Sequence, residues 1–279
     1  MRYLFVILAL TWPTGTSISA AENTPLEDSL PYKEVQDGSA LRKLRIDRTR
    51  PADWKADDRR SAVIFFHGGG WTGGKPGQFA SHSQELAKLG CVCFRVEYRL
   101  LDRKSNDPPE ICVSDASDAI RFIRGRAKEL GIDPNRIACG GGSAGGHLAA
   151  YLGMMDDEKV DEVSRRPNAL LLFNPVYDNG PGGWGTKRVG DAFPKFSPAH
   201  NITADDPPSV VFLGDSDDLI PVSTAEKFKQ TCKSVGVRSD LYTYKGQPHG
   251  FFNVSRSNGK YYRDTLAKSI EFLKSLSWF

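Results

Sequence analysis

The chain has 279 residues, 39% of them hydrophobic and 25% charged, enough for a buried core and a solvated shell in one or two domains. That balance excludes a disordered chain, a collagen-like repeat and a polytopic membrane protein. Lys and Arg number 37 against 34 Asp and Glu, and a net +3 spread along the chain is too small a surplus to imply a nucleic-acid partner.

Met1 and Arg2 make a positive start, Tyr3 to Leu10 is an unbroken apolar run, and Ser19-Ala20-Ala21 puts small residues ahead of Glu22. This is the layout of a secretory signal peptide cut after Ala21. The apolar run is well short of the roughly 20 residues that span a bilayer. The expectation is a leader over 1–21 and one exported domain over 22–279, secreted or periplasmic, with no membrane anchor after cleavage. Five cysteines (Cys91, Cys93, Cys112, Cys139, Cys232) are too few and too odd in number for a disulfide scaffold, and they read as small buried hydrophobes, with one disulfide left open.

Tyr32–Gln36, Asp37-Gly38 and Leu41–Asp47 read as a hairpin. Ala62–Phe66 is a continuous apolar run of the buried-strand type, followed by a helix over Gln78–Leu89 and a strand over Cys91–Tyr98. A long helix runs from Pro109 to Leu130, with Gly131 as its cap and Pro134 beyond. Arg136–Gly141 is a short strand that enters a glycine cluster and a helix from Ala144 to Met155. Leu170–Asn174, Val210–Gly214 and Asp240–Tyr244 are further strands, Ser223–Val235 a helix between the last two, and Tyr261–Leu276 a closing amphipathic helix. This alternation predicts an α/β fold: a mostly parallel sheet of about eight strands, helices on both faces, and the hairpin adding antiparallel strands at one edge. Tyr177 to Pro208 is a long irregular stretch of the kind that often serves function.

In such sheets ligands bind at the carboxyl ends of the strands, and four segments fall there. Gly141-Gly142-Ser143-Ala144-Gly145 lies between a strand and a helix. The pattern G-x-S-x-G is weak alone, with on the order of 0.2 chance matches in a chain of this composition. In this setting, however, it forces the serine onto a strained turn above the sheet edge, at a helix N-terminus. A phosphate loop would need the Lys-Ser/Thr ending that is missing here. His67-Gly68-Gly69-Gly70-Trp71 follows the Ala62–Phe66 strand. Its bare backbone lets N–H groups approach a ligand, so Gly68 and Gly69, with Ala144, are the candidate oxyanion donors, and His67 is a brace for the loop. Gly214 to Pro221 carries Asp215, Asp217 and Asp218. Asp217, four residues ahead of Pro221, is the first choice for a buried acid, Asp218 the second, and Asp215 a turn former. Of the five histidines, only His249 lies on a loop after a strand and downstream of the acids; His82, His147 and His200 read as bystanders.

Ser143, Asp217, His249 is the Ser-acid-His order of the α/β-hydrolase fold. The chain resembles an α/β-hydrolase esterase near the hormone-sensitive-lipase-like and feruloyl- or acetylxylan-esterase-like groups. The residues that carry the likeness are His67–Trp71, Tyr98-Arg99-Leu100, Gly131–Ile137, Gly141–His147, Asp217…Pro221 and His249-Gly250-Phe251. The resemblance supports Gly68, Gly69 and Ala144 as oxyanion donors and Asp217 as the acid. It departs at Gly142, where many hormone-sensitive-lipase-like members carry Asp, and in the absence of a long helical cap before the hairpin.

The chemistry so implied is ester hydrolysis through an acyl-enzyme on Ser143, which requires no metal and no organic cofactor. An open pocket walled by Trp71, Trp184 and Phe251 is expected, with Trp184 either stacking on a sugar or aryl ring or anchoring its own loop. Analogy to the fold's relatives points to short acyl esters, acetyl or feruloyl groups on carbohydrate among them. A prolyl-oligopeptidase-like peptidase shares the elbow but usually carries a propeller domain for which this chain has no room. A non-catalytic binding protein on the same scaffold typically loses a triad member. Asn201-Ile202-Thr203 and Asn253-Val254-Ser255 are glycosylation acceptors only in a source that glycosylates.

Overall fold

The computed structural model describes residues 24–38, 40–157 and 159–279; the expected leader, 1–21, lies outside them. Among the described residues eight strands form one sheet: β1 (Leu26–Asp37), β2 (Ala40–Arg50), β3 (Arg60–Phe66), β4 (Val92–Val96), β5 (Ile132–Gly142), β6 (Ala169–Phe173), β7 (Ser209–Gly214) and β8 (Ser239–Tyr244). Their spatial order is β1-β2-β4-β3-β5-β6-β7-β8. β1 and β2 are antiparallel, β2 meets β4 antiparallel, and every pairing from β4 to β8 is parallel. The central strands are buried on both faces, which is why β3 reads as an unbroken apolar run rather than an alternation. Ala62, Ile64 and Phe66 join α2 (Glu110–Gly125), α3 (Ala144–Met154) and α5 (Val222–Ser234) on one face. Val63 and Phe65 join α1 (Ala80–Lys88) and α6 (Lys260–Ser275) on the other.

The hairpin is longer than its sequence pattern suggested. β1 starts at Leu26 and runs through Pro31, where the register with β2 slips. Proline is tolerated because β1 is the sheet edge and one missing N–H costs no central ladder bond. The helix expected to reach Leu130 stops at Gly125. Beyond it the chain turns so that Leu130 O accepts the Trp54 indole N–H at 3.0 Å, and β5 already begins at Ile132. The Tyr177–Pro208 stretch contains one short helix, α4 (Thr186–Val189), and two 3-10 turns.

Register brings the strand ends level. Phe66 pairs with Gly141, Gly142 with Phe173, Phe173 with Phe212, and Gly214 with Tyr244. Residues just past β3, β5, β6, β7 and β8 therefore crowd one edge of the sheet. The hairpin is tied to this scaffold by the buried Asp115 of α2. Its carboxylate accepts Arg99 N–H and Nε at 2.9 Å each, Arg99 Nη2 at 2.8 Å and Lys33 Nζ at 2.6 Å. Burial pushes that carboxyl up, but the bonds from Arg99 and Lys33 win and hold it below the usual carboxylate range.

Two buried histidines make the fold sensitive to acid. His82 sits among Phe65, Phe79, Phe173, Phe252 and Tyr262 with neither ring nitrogen bonded among the described residues, and burial takes it down to about 3. His147 donates Nε2–H to Phe196 O at 2.7 Å and is held at about 4, again by burial. Both lie below the ordinary value of 6.5, so below that pH the unfolded chain binds protons that the folded one refuses. Stability is therefore full above pH 6.5 and is lost toward pH 3–4, at up to roughly 1.4 kcal/mol per pH unit for each group. Urea unfolding between pH 7 and 4 should show this slope, and His82→Phe should flatten it; an unchanged slope in that variant would contradict the assignment.

Candidate active site

Ser143 is the N-cap of α3 and has φ +54° and ψ −117°, a conformation that L-residues rarely adopt outside functional sites. The strain is enforced by close approach. A Cβ at Gly145 would lie 2.1 Å from Phe66 O, so the turn from β5 to α3 is pressed directly against the end of β3. The hydroxyl that results stands beside the sheet edge and donates to His249 Nε2 at 2.9 Å. His249 Nδ1–H donates in turn to Asp217 Oδ2 at 2.7 Å. A carboxylate oxygen cannot donate, so the contact fixes the tautomer with its acceptor nitrogen toward the serine.

The Asp217 carboxylate is fully buried, whereas the His249 side chain is 23% exposed. Asp217 Oδ1 accepts the N–H groups of Leu219 and Ile220 at 2.9 and 3.0 Å, which leaves Oδ2 for the imidazole. Asp218 is exposed to solvent. Asp215 accepts Gly246 N–H at 2.6 Å, bridging the β7 and β8 loops. Among the described residues, Asp217 alone of the three acids reaches His249.

The His67–Trp71 loop is braced as its first residue suggested. His67 donates Nδ1–H to Gly68 O at 2.8 Å, stacks on Tyr98 at 4.3 Å, and has its carbonyl capped by the Tyr98 hydroxyl at 2.7 Å. Burial keeps its imidazole below the usual histidine range, which suits a neutral structural ring. One oxyanion expectation needs correcting. Gly68 N–H donates to Gln78 Oε1 at 2.7 Å and is not available to a substrate. The N–H groups of Gly69, Gly70 and Ala144 make no hydrogen bond among the described residues, and Ala144, as the first residue of α3, has no intrahelical acceptor. Gly70 thus replaces Gly68 beside Gly69 and Ala144 as a free donor.

A cavity of about 290 Å³ opens over Ser143 and His249. Trp184, Leu219 and Phe252 supply its apolar wall. Trp71 does not line it: the indole is fully buried, edge-on to His147 and behind Trp184, both at 5.0 Å between ring centres. Phe251 does not line it either. It packs inward against Tyr244 and Tyr261, and its neighbour Phe252 takes the wall position instead. Phe252 packs directly on Gly142: a Cβ there would fall 2.4 Å from its ring, so that ring would have to move aside for any larger residue. A larger cleft of about 610 Å³, lined by Arg42, Arg45, Lys75 and Glu97 among others, lies across the His67 loop and contains none of Ser143, Asp217 and His249.

Three amide side chains border the cavity over Ser143: Gln78, Asn174 and Asn253. Gln78 Nε2 donates to Asn253 Oδ1 at 3.0 Å, and Asn253 Nδ2 to Gly250 O at 2.8 Å. Gly250 N–H donates to Asn174 Oδ1 at 3.1 Å. With the Gly68–Gln78 bond this forms a continuous path from the glycine loop to the His249 loop. No motif in the sequence marks these three residues. Asn174, directly after β6, occupies a position that strand counting alone would flag; Gln78 and Asn253 carry no local signal. His200, on the Tyr177–Pro208 stretch, bonds Ser197 Oγ at 2.8 Å through Nδ1. All five cysteines are buried and unpaired, and burial pushes the Cys91, Cys112 and Cys232 thiols up to about 12.

No cluster of three or more His, Cys, Asp or Glu able to hold a metal occurs among the described residues. No helix among them is long and apolar enough to cross a membrane.

Comparison with known proteins gives a consistent picture. The family profile BD-FAE matches residues 51–170, and that of the dienelactone hydrolase family matches 185–279. A probable carboxylic ester hydrolase, LipM, of Mycobacterium tuberculosis is 28% identical over 75% of this chain and 53% of its own length. An acetylxylan esterase of Xylanibacter ruminicola is 29% identical over 61% of this chain and 36% of its own. The chain thus spans about half the length, or less, of these curated relatives. A solved structure of Thermogutta terrifontis esterase 2, phosphoramylated by tabun, is 38% identical, with a TM-score of 0.84 over 94% of this chain and 99% of that one. The same esterase has also been solved phosphorylated by paraoxon, with butyrate bound and with propionate bound, at 36 to 37% identity and TM-scores of 0.82 to 0.83. These forms cover 94%, 90% and 97% of this chain and 98%, 95% and 98% of theirs.

The choice among the acids is testable. Asp217→Asn should lower turnover of p-nitrophenyl acetate by on the order of 10⁴ through loss of the tautomer, while Asp218→Asn stays near wild type. The reverse ranking would move the acid to Asp218.

Proposed function

The chain belongs to the α/β-hydrolase superfamily of esterases, and from that premise we propose that it is a serine carboxylic-ester hydrolase acting on short-chain acyl esters through an acyl-enzyme on Ser143. The observation that carries this reading is the line of contacts Ser143 Oγ, His249 Nε2, His249 Nδ1, Asp217 Oδ2, at 2.9 and 2.7 Å. His249 accepts the serine proton as Oγ attacks the ester carbonyl. Asp217 holds the ring and stabilises the imidazolium. The oxyanion rests on the N–H groups of Gly69, Gly70 and Ala144, already fixed by the loop and the helix start, so no reorganisation is needed as charge develops. His249 then protonates the leaving alcohol, and water releases the acyl group by the same steps in reverse order.

Short acyl groups fit a cavity of about 290 Å³, and the propionate and butyrate bound to the Thermogutta esterase support that preference. Gln78, Asn174 and Asn253 make the polar part of the lining uncharged, which suits a neutral alcohol. The acetylxylan esterase relative supports acetyl groups on carbohydrate as substrates, with Trp184 offering a flat apolar face at the mouth. Ser143→Ala should reduce hydrolysis of p-nitrophenyl acetate by at least about 10⁴-fold while leaving the melting temperature unchanged. Retention of full activity in a folded Ser143→Ala protein would overturn the function.

A further inference from the structure

Asn174 is the first residue beyond β6, fully buried, with φ at +35°, a left-handed conformation that Asn tolerates better than most side chains. Its own N–H donates to Phe212 O at 2.7 Å, which fixes it to β7. Gly250 N–H meets one amide atom of its side chain at 3.1 Å. A backbone N–H can only donate, so that atom is the oxygen, and the amide nitrogen is the one 3.3 Å from His249 Nε2.

Nε2 of a neutral imidazole has one in-plane lone pair. In the free enzyme the Ser143 hydroxyl takes it at 2.9 Å, and the Asn174 N–H is left with the longer contact. Acylation changes this balance. Ser143 Oγ becomes an ester oxygen with no proton to give, and Nε2 must next accept a proton from the attacking water. That water has to lie within hydrogen-bond distance of Nε2 on the cavity side, where Asn174 is part of the lining.

We propose that Asn174 is a positioning residue for the exchanging oxygen. Its Nδ2–H donates to the oxygen of the deacylating water, and to that of the departing alcohol in the acylation half, while the exchanged proton lies toward His249 Nε2. In deacylation the water oxygen bonds to the acyl carbon and its proton passes to Nε2. The tetrahedral adduct then collapses, the acyl carbon–Oγ bond breaks, and the proton moves from Nε2 to Ser143 Oγ as the carboxylic acid leaves. The proposal rests on the reading of Ser143 and His249 as nucleophile and base.

Two variants separate this role from support of the His249 loop. Asn174→Asp keeps an oxygen for Gly250 N–H but replaces the donor by an acceptor. Asn174→Gly removes the amide without adding charge and is at ease with a positive φ. The measurement is the pre-steady-state burst of p-nitrophenolate from p-nitrophenyl acetate, with steady-state kcat, KM and the melting temperature. Nitrophenolate departs without needing a proton, so its release does not depend on a held oxygen. In both variants deacylation, and with it kcat, should fall about tenfold or more. In Asn174→Gly, which brings no charge to Nε2, the burst rate should stay within about threefold of wild type, so that KM falls together with kcat. Equal slowing of burst and turnover in Asn174→Gly would make Asn174 a structural support only, and unchanged kinetics in that variant would deny it any role; either overturns the proposal. Ser143→Ala in the same assay should give neither burst nor turnover. Turnover there would instead overturn the reading on which the proposal rests.

Discussion

The turn from β5 into α3 passes so close to the end of β3 that no side chain fits between them, and the rest of the site depends on that contact. At Gly145 even a methyl group would overlap Phe66 O. With the backbone pinned there, and with Ser143 N–H bonded to Phe173 O at 2.9 Å across to β6, the serine has no room for an ordinary helical φ. Its hydroxyl is lifted out of the sheet edge, and the first free amide of α3 is left beside it. Backbone strain of this kind costs of order 1–3 kcal/mol and persists only where surrounding packing over-determines it. Here that packing is the doubly covered central sheet.

The second constraint is how two loops are held in step with that turn. The glycine loop and the His249 loop come from opposite ends of the chain. Gln78, Asn253 and Asn174 join them through neutral amides, each used as donor on one side and acceptor on the other. Neutral groups suit this position, because a nearby full charge would bias His249 toward one protonation state, and the base that we propose it to be must cycle between two. Asp217 is the exception. It is buried, bound by two backbone N–H groups, and aimed at Nδ1, where its charge would support the imidazolium of the proposed mechanism as it forms.

Much of this was legible in the chain because the relevant signals are local. Apolar runs and turn residues marked the strands, and Ser143, Asp217 and His249 each follow a strand end in the hydrolase order. The structure brings the three within hydrogen-bond distance. What could not be read depends on direction rather than type. Phe251 and Phe252 are chemically identical neighbours, and only the path of the loop after Gly250 decides which one faces the cavity. Trp71 lies beside the glycines in sequence, yet its side chain turns back into the core against His147. Gly68 and Gly70 look equivalent until Gln78, ten residues away and on another element, claims the N–H of the first. Pro31 argues against a strand interior unless it is known that β1 forms the edge.

The central claim is that Ser143 is made nucleophilic by this geometry, and its most direct test is covalent. Paraoxon is known to phosphorylate the related Thermogutta esterase. Treating the purified protein with paraoxon and mapping the adduct by peptide mass spectrometry should give one diethylphosphoryl group per chain. It should lie on Ser143, and ester hydrolysis should disappear in proportion to labelling. Labelling of a different residue with loss of activity, or full hydrolysis after complete labelling of Ser143, would contradict the account.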